Sequence, residues 1–260
     1  MTGQRVRIRL LGTLDVTYLA CDEIHLNITA AKLRQVLVLL AASADSVVST
    51  EKIINELWPY GPPRTVNTIV QTYIYHLRKL FSNSIESTNG TELLITRPGG
   101  YVLAVPRDNI DIFQFQSLME RGRGALRHSQ AGSAADLLRQ SLDLWRGPVP
   151  ADLSCGPSLN ALAVYLDELR LEALALRIEA DLASNRHREV IGELRSLVAT
   201  HHLHELFHIQ LMEALHRSGR RGEALAAYRQ LRCILDDELG LEPSREAQKV
   251  QQEILVSSGS

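Results

Sequence analysis

The stretch "RTVNTIVQTYIYHLRKL", residues 64–80, decides the fold. Its apolar side chains Val66, Ile69, Val70, Tyr73, Ile74, Leu77 and Leu80 recur at the three-and-four spacing that lays one continuous stripe along an α-helix. Such a stripe faces a core. The opposite side carries Thr68, Gln71, Thr72, Tyr75 and Arg78, with Arg64 and Asn67 at the start and His76 and Lys79 on the flanks.

The segments around this helix give it a context. From Arg5 to Asn27, "RVRIRLLGTLDVTYLACDEIHLN" alternates polar and apolar residues with breaks at Gly12 and Cys21-Asp22, which predicts two or three short antiparallel strands. Thr29 is the expected N-cap of a helix through "AAKLRQVLVLLAASA", and Ser49 or Thr50 the cap of a second, "EKIINELW". The prolines of "PYGPPR" then force a turn, because they cannot continue a helix. After the quoted helix, "TELLITRPGGYVLAV" is two β-prone runs around Pro98-Gly99-Gly100, a hairpin. Sheet, three helices and a terminal hairpin make an α+β winged helix-turn-helix domain, residues 1–106. In that fold the second helix of the pair fills a major groove, where short polar side chains such as Gln71 and Thr72 meet base edges and Arg or Lys near the helix ends meet phosphates.

Beyond Ile110 the pattern changes to amphipathic helices with short polar joints. They are expected at Asp111–His128, Ser133–Trp145, Ser158–Ser184, His187–His201, His204–Ser218, Arg221–Glu238 and Ser244–Val256. "REVIGELRSLVATH" superposes on "GEALAAYRQLRCIL" at a separation of 34 residues, the period of tetratricopeptide repeats. Ala214, Gly219, Gly222, Ala224 and Ala227 read as small residues leaving room for Leu215, Leu225 and Tyr228. Residues 111–256 are therefore expected to form an all-α, tetratricopeptide-like domain, whose stacked pairs build a concave protein-binding surface.

Composition narrows the function. The chain has 260 residues, 45% of them hydrophobic, and a formal net charge of −2, which argues against indiscriminate coating of polyanions. Up to Pro106 there are ten Lys and Arg against eight Asp and Glu, a balance of +2; from Arg107 onward eighteen stand against twenty-two, a balance of −4. No window approaches the roughly 18 apolar residues of a membrane span, and "MTGQRVRIRLLG" has no leader pattern, so a cytoplasmic protein with no membrane partner is expected. Cys21, Cys155 and Cys233 lie far apart and read as reduced, mostly buried thiols. "HHLHELFH" brings His201, His204 and His208 within two turns, but zinc needs further ligands and there is no HExxH, so no metal is expected. "DDEL" at 236–239 reads as a solvated acidic face. With no GxSxG and no Cys–His pairing in sight, catalysis is not expected.

Together, "ELWPYGPPRTVNTIVQTYIYHLRKLF", "ITRPGGYVLAV", "IDIFQFQSLMERGRGAL" and "LMEALHRSGRRGEALAAYRQLRCILDDELGLEPS" resemble the Streptomyces antibiotic regulatory protein family, over nearly everything from Arg5 to Leu255. The resemblance implies a response-regulator-type winged helix joined to a bacterial transcriptional activation domain. The function it implies is a sequence-specific DNA-binding activator of an antibiotic or other secondary-metabolite gene cluster. Such proteins bind direct repeats of double-stranded DNA near the −35 element, as homodimers on the DNA, and recruit RNA polymerase holoenzyme through its sigma factor.

Carried onto this chain, the family pattern places base reading at Gln71, Thr72 and His76. It places phosphate contacts at Arg64, Thr68, Tyr73, Arg78 and Lys79, and minor-groove insertion at the wing residue Arg97. Tyr73 is expected to pack its ring while its hydroxyl reaches a phosphate. Lys32 and Arg34 fall where the family contacts polymerase, although "NITAAKLR" lacks the Gly-Pro that members often carry there. His202 in "HHLHE" stands where a proline is common, a change confined to a loop. Longer relatives add a nucleotide-binding module; this chain has no GxxxxGK[ST], so neither phosphate-loop ATP binding nor any other cofactor is expected. Two other classes fit the same residues: an interaction adaptor whose winged helix reads no sequence, and a ligand-gated regulator holding a small effector on its concave surface.

Overall fold

The computed structural model describes residues 6–19, 23–84, 93–149 and 155–256. They fall into two compact units, one within residues 1–119 and 140–171 and one within residues 120–139 and 172–260.

The first unit opens with three antiparallel strands, β1 (Val6–Arg9), β2 (Asp15–Leu19) and β3 (Glu23–His25), in that order. The alternation sends Val6, Ile8, Val16 and Tyr18 into the core. It leaves Arg7 and Arg9 outside, facing Glu23 and Asp15 across the sheet. Helix α1 (Ala31–Ala42) follows, apolar all round from Val36 to Ala41 and buried all round, as a central helix must be. It corrects one expectation. The N-cap is Ala30, extended and without a side-chain bond, so Thr29 lies one residue too early for its hydroxyl to reach the first-turn N–H groups. Strand β4 (Val48–Ser49) leads into α2 (Thr50–Leu57), where Ser49 is the expected cap, its Oγ accepting the Lys52 N–H at 3.0 Å.

After the proline turn comes α3 (Val66–Ser84), then β5 (Leu94–Arg97) and β6 (Gly100–Leu103), which join β4 in a second sheet ordered β4-β6-β5. The hairpin turns at Pro98-Gly99. Gly99 has φ +82°, the left-handed conformation that a type II turn needs after its proline. Gly100 is fixed for another reason: a Cβ there would stand 2.1 Å from the Val48 carbonyl oxygen of β4.

The short joint "PRDNI" is sewn into the N-terminal sheet. Ile110 bridges Ile8 in parallel, and the Asn109 side-chain amide donates to Val6 O at 3.0 Å. Asp111, 3% exposed at the start of α4 (Asp111–Arg127), accepts the Leu10 and Leu11 N–H groups at 2.7 and 3.0 Å. Burial pushes its carboxyl above the usual carboxylate range, against the pull of those bonds and of Arg146. Helices α5 (Ala131–Leu142) and α6 (Pro157–Ala183) follow. Glu56, 2% exposed at the end of α2, accepts the N–H groups of Gly156, Ser158 and Leu159 at 2.6, 2.8 and 3.2 Å. It thus caps α6 from about a hundred residues away.

In the second unit, α7 (His187–Thr200), α8 (Glu205–Arg217), α9 (Arg221–Leu239) and α10 (Arg245–Val256) pack as successive neighbours. Val190 and Ala224, 34 positions apart, are both buried, as are Leu194 and Tyr228. The repeat extends to the turns. Ser129, Asn185 and Gly219 each have positive φ, and each turn closes with the same backbone bond: Gln130 to Ala125, Arg186 to Asp181, Arg220 to Leu215, all at 2.9 Å. Gly219 is therefore small for its left-handed backbone and not to admit a neighbour, and Gly222 is exposed with open space around it; only the alanines of that set are buried. The close helix approach lies elsewhere, at Gly122, where a Cβ would meet Leu138 Cγ at 2.6 Å.

The thiols depart from expectation too. Cys155 is half-buried and Cys233 exposed, because Cys233 falls on the outer face of α9; Cys21 lies outside the described residues. His208 is buried, 1% exposed, with Nε2 2.9 Å from His202 O; His204 stacks on Phe207. Asp236, Asp237 and Glu238 are exposed.

Candidate nucleic-acid interface

Helix α3 is divided as its spacing predicts. Val70, Ile74, Leu77 and Phe81 are at most 4% exposed and hold it to the core. Gln71, Thr72, Tyr75, His76 and Lys79 are exposed, as are Arg64, Asn67 and Thr68 at its start. Thr68, Gln71, Thr72, Tyr75 and Lys79 thus share one side of a helix more than five turns long. Within that side the chemistry is graded. The exposed Gln71 amide has no hydrogen-bond partner among the described residues, while the Thr72 hydroxyl donates to Thr68 O at 2.8 Å, leaving its methyl and lone pairs outward. His76 and Lys79 lie toward α1, on the rim of a groove shared with Ala30, Leu33, Tyr73 and Leu80.

Tyr73 is half-buried, its ring stacked on Trp58 at 6.5 Å and 15°, and the Lys32 ammonium sits over the other ring of that pair, 4.1 Å from the Trp58 centroid. A lysine on α1, a tryptophan just after α2 and a tyrosine on α3 thereby brace α3 near its middle; a cation held over an aromatic face contributes about 0.5–2 kcal/mol. Lys32 and Arg34 are both half-buried.

Arg78 departs from the outward face assigned to it. It is half-buried, and its guanidinium turns onto the hairpin, with Nε and Nη2 donating to Leu94 O at 3.0 and 2.9 Å and Nη2 to Thr96 Oγ1 at 2.8 Å. Arg97 is exposed beside the Pro98-Gly99 turn, paired in register with Gly100. A further residue stands out that periodicity has no means to find: Tyr60, 101% exposed in the turn before α3.

Comparison with known proteins matches residues 24–103 to the model described as "Transcriptional regulatory protein, C terminal" and residues 110–255 to the "Bacterial transcriptional activator domain". The regulatory protein DnrI of Streptomyces peucetius is 41% identical over 229 residues, 87% of this chain and 84% of DnrI. The chain belongs to the Streptomyces antibiotic regulatory protein family.

Other members and neighbours agree with that membership. The transcriptional regulator RedD of Streptomyces coelicolor is 33% identical over 98% of this chain and 71% of its own length. A solved structure of Mycobacterium tuberculosis EmbR in complex with a low affinity phosphopeptide superposes with a TM-score of 0.90 at 30% identity, covering 97% of this chain and 65% of that one. The protein is a transcriptional activator of this family, with a winged helix-turn-helix followed by a helical domain. Its relatives are regulators, and no described helix is long and apolar enough to cross a membrane.

Proposed function

We propose that this family member reads double-stranded DNA through the outer side of α3. Gln71, Thr72 and His76 meet base edges, Arg64, Thr68, Lys79 and the Tyr73 hydroxyl hold phosphates, and Arg97 enters the adjoining minor groove. The observation that carries the reading is the exposed polar side of α3 on a helix anchored by Val70, Ile74 and Leu77. Base-edge contacts of this kind discriminate by about 1–3 kcal/mol each, whereas phosphate contacts add affinity without sequence. Arg78 is left out of the phosphate set, because its Nε and Nη2 donate to the hairpin.

The sites are direct repeats near the −35 element of a secondary-metabolite gene cluster, occupied by a homodimer. Activation follows when the bound protein holds RNA polymerase holoenzyme at its sigma factor, with Lys32 and Arg34 on the polymerase-facing side and residues 111–256 completing the surface. A footprint on the genomic DNA flanking the gene, followed by transcription with purified polymerase on the protected promoter, tests the reading. Protected direct repeats and polymerase-dependent stimulation by the full chain are expected. Binding without preference over random duplex would favour the adaptor, and stimulation only in the presence of a pathway metabolite would favour the ligand-gated regulator.

A further inference from the structure

We propose that Arg78 is a positioning residue that sets where the wing stands against α3, and thereby how Arg97 meets the minor groove. The inference rests on the reading of α3 and Arg97 given above, and its test separates the two.

Strand β5 is an edge of its sheet. Leu93 O accepts the Ala104 N–H at 2.7 Å on the β6 side, so the alternation of an antiparallel ladder turns Leu94 O off the free edge. Arg78 meets that carbonyl with two N–H groups and reaches on to the Thr96 hydroxyl, one residue before Arg97. On its other side the turn is held by the Thr50 N–H, which donates to Gly99 O at 3.0 Å, and by the pairing of Ser49 with Gly100. Those ties run to α2 and β4; Arg78 supplies one from the base-reading helix.

The chemistry suits this role better than that of a phosphate clamp. A fork of fixed geometry satisfies one carbonyl and one hydroxyl together, which the single ammonium of a lysine cannot imitate. For Nε and Nη2 to turn to a phosphate, Leu94 O would have to give up both these donors, a loss that the carbonyl of a residue only 1% exposed resists. A substitution at Arg78 therefore changes the aim of the hairpin and leaves the number of neutralised phosphates nearly as it was.

The test uses the full chain and two operator duplexes that differ only in A·T-rich or G·C-rich sequence under the wing, each titrated over a range of salt. Arg78→Gln, Arg78→Lys and Thr96→Val are measured alone and in the Arg97→Ala background. Couplings between contacting residues of about 1 kcal/mol correspond to about fivefold, so Arg78→Gln is expected to cut the preference for the A·T-rich flank by that factor. Arg78→Lys fails to restore it, the milder Thr96→Val shows part of it, and none changes it further once Arg97 is alanine. Hydrogen exchange without DNA supplies an independent reading: faster exchange across residues 94–103 in Arg78→Gln, with the Val70–Leu77 amides still protected. If Arg78→Gln instead weakens both duplexes equally and lowers the salt slope by about one even beside Arg97→Ala, it is a phosphate contact and the proposal falls. If the wild type shows no flank preference, the minor-groove reading of Arg97 fails, and the exchange pattern alone decides whether Arg78 holds the wing.

Discussion

Glu56 and Gly156 fit each other from two directions. The Glu56 carboxylate accepts the Gly156 N–H at 2.6 Å, while the Glu56 carbonyl oxygen stands 2.1 Å from where a Cβ on residue 156 would be. Because the second neighbour is backbone, Gly156→Ala must push the two segments apart, at a cost of about 1–3 kcal/mol. Glu56→Ala strips three N–H groups of their acceptor, with a loss of about 2–3 kcal/mol. Denaturant unfolding followed by the fluorescence of nearby Trp58 measures both. Wild-type midpoints in the two variants would mean that α6 starts without this clamp.

On the DNA side, Gln71→Ala and Lys79→Ala are expected to fail differently. The first removes an amide able to make paired contacts to a base, so the ratio of operator to random binding drops by about 1–3 kcal/mol. The second weakens both duplexes alike and lowers the salt slope by about one. Equal weakening on both DNAs by Gln71→Ala would confine that residue to backbone or solvent, and an unchanged slope would take Lys79 off the phosphates.

His208 gives the fold an acid limit. Burial holds its imidazole below the ordinary histidine value, more than the bond to His202 O and the charge of Glu205 raise it. The unfolded chain therefore binds its proton first as pH falls, so this contribution to stability is complete above about 6.5 and is lost as pH drops through the folded value. Unfolding free energies between pH 7.5 and 5.5 should decline for the wild type and decline less for His208→Gln. Parallel curves would assign the pH dependence to other groups.

The two described thiols should separate by reactivity. Cys233 is exposed, whereas burial first and the Glu56 charge second raise the Cys155 thiol. Since the thiolate is the nucleophile, iodoacetamide at pH 8 should label Cys233 about tenfold faster than Cys155, and Glu56→Gln should speed Cys155. Peptide mass spectrometry over a time course reads both rates; equal labelling would contradict the burial of Cys155.

What the sequence made legible was whatever repeats locally. The α3 stripe, the Pro98-Gly99 turn, the Ser49 cap and all seven later helices follow from spacing over a few residues, and the structure has them. Thr29 misled because a cap depends on where the first helical turn closes, which one residue of extended backbone displaces. Arg78 misled because a helical wheel assigns a side but knows nothing of a strand edge 16 residues on whose carbonyl lacks a ladder partner. Asp111 and Glu56 have no local signature at all: each is an acidic residue on a helix until the N–H groups about a hundred positions away are in view. The polar side of α3 was visible as composition; the Lys32, Trp58 and Tyr73 stack that steadies it was not, since three residues on three segments share no period.

The distance between Leu10 and Asp111 has a bearing on how the protein is made. Leu10 and Leu11 leave the ribosome about a hundred residues before the carboxylate that receives their N–H groups, and Glu56 waits a similar stretch for Gly156. At about 5–20 residues per second, each gap amounts to roughly 5–20 seconds of synthesis. During that interval the nascent winged helix has its first sheet and its α2 terminus incomplete. Its maturation is thus timed by translation of the helical domain, so a message truncated before Gly156 would release a chain still lacking one of these closures.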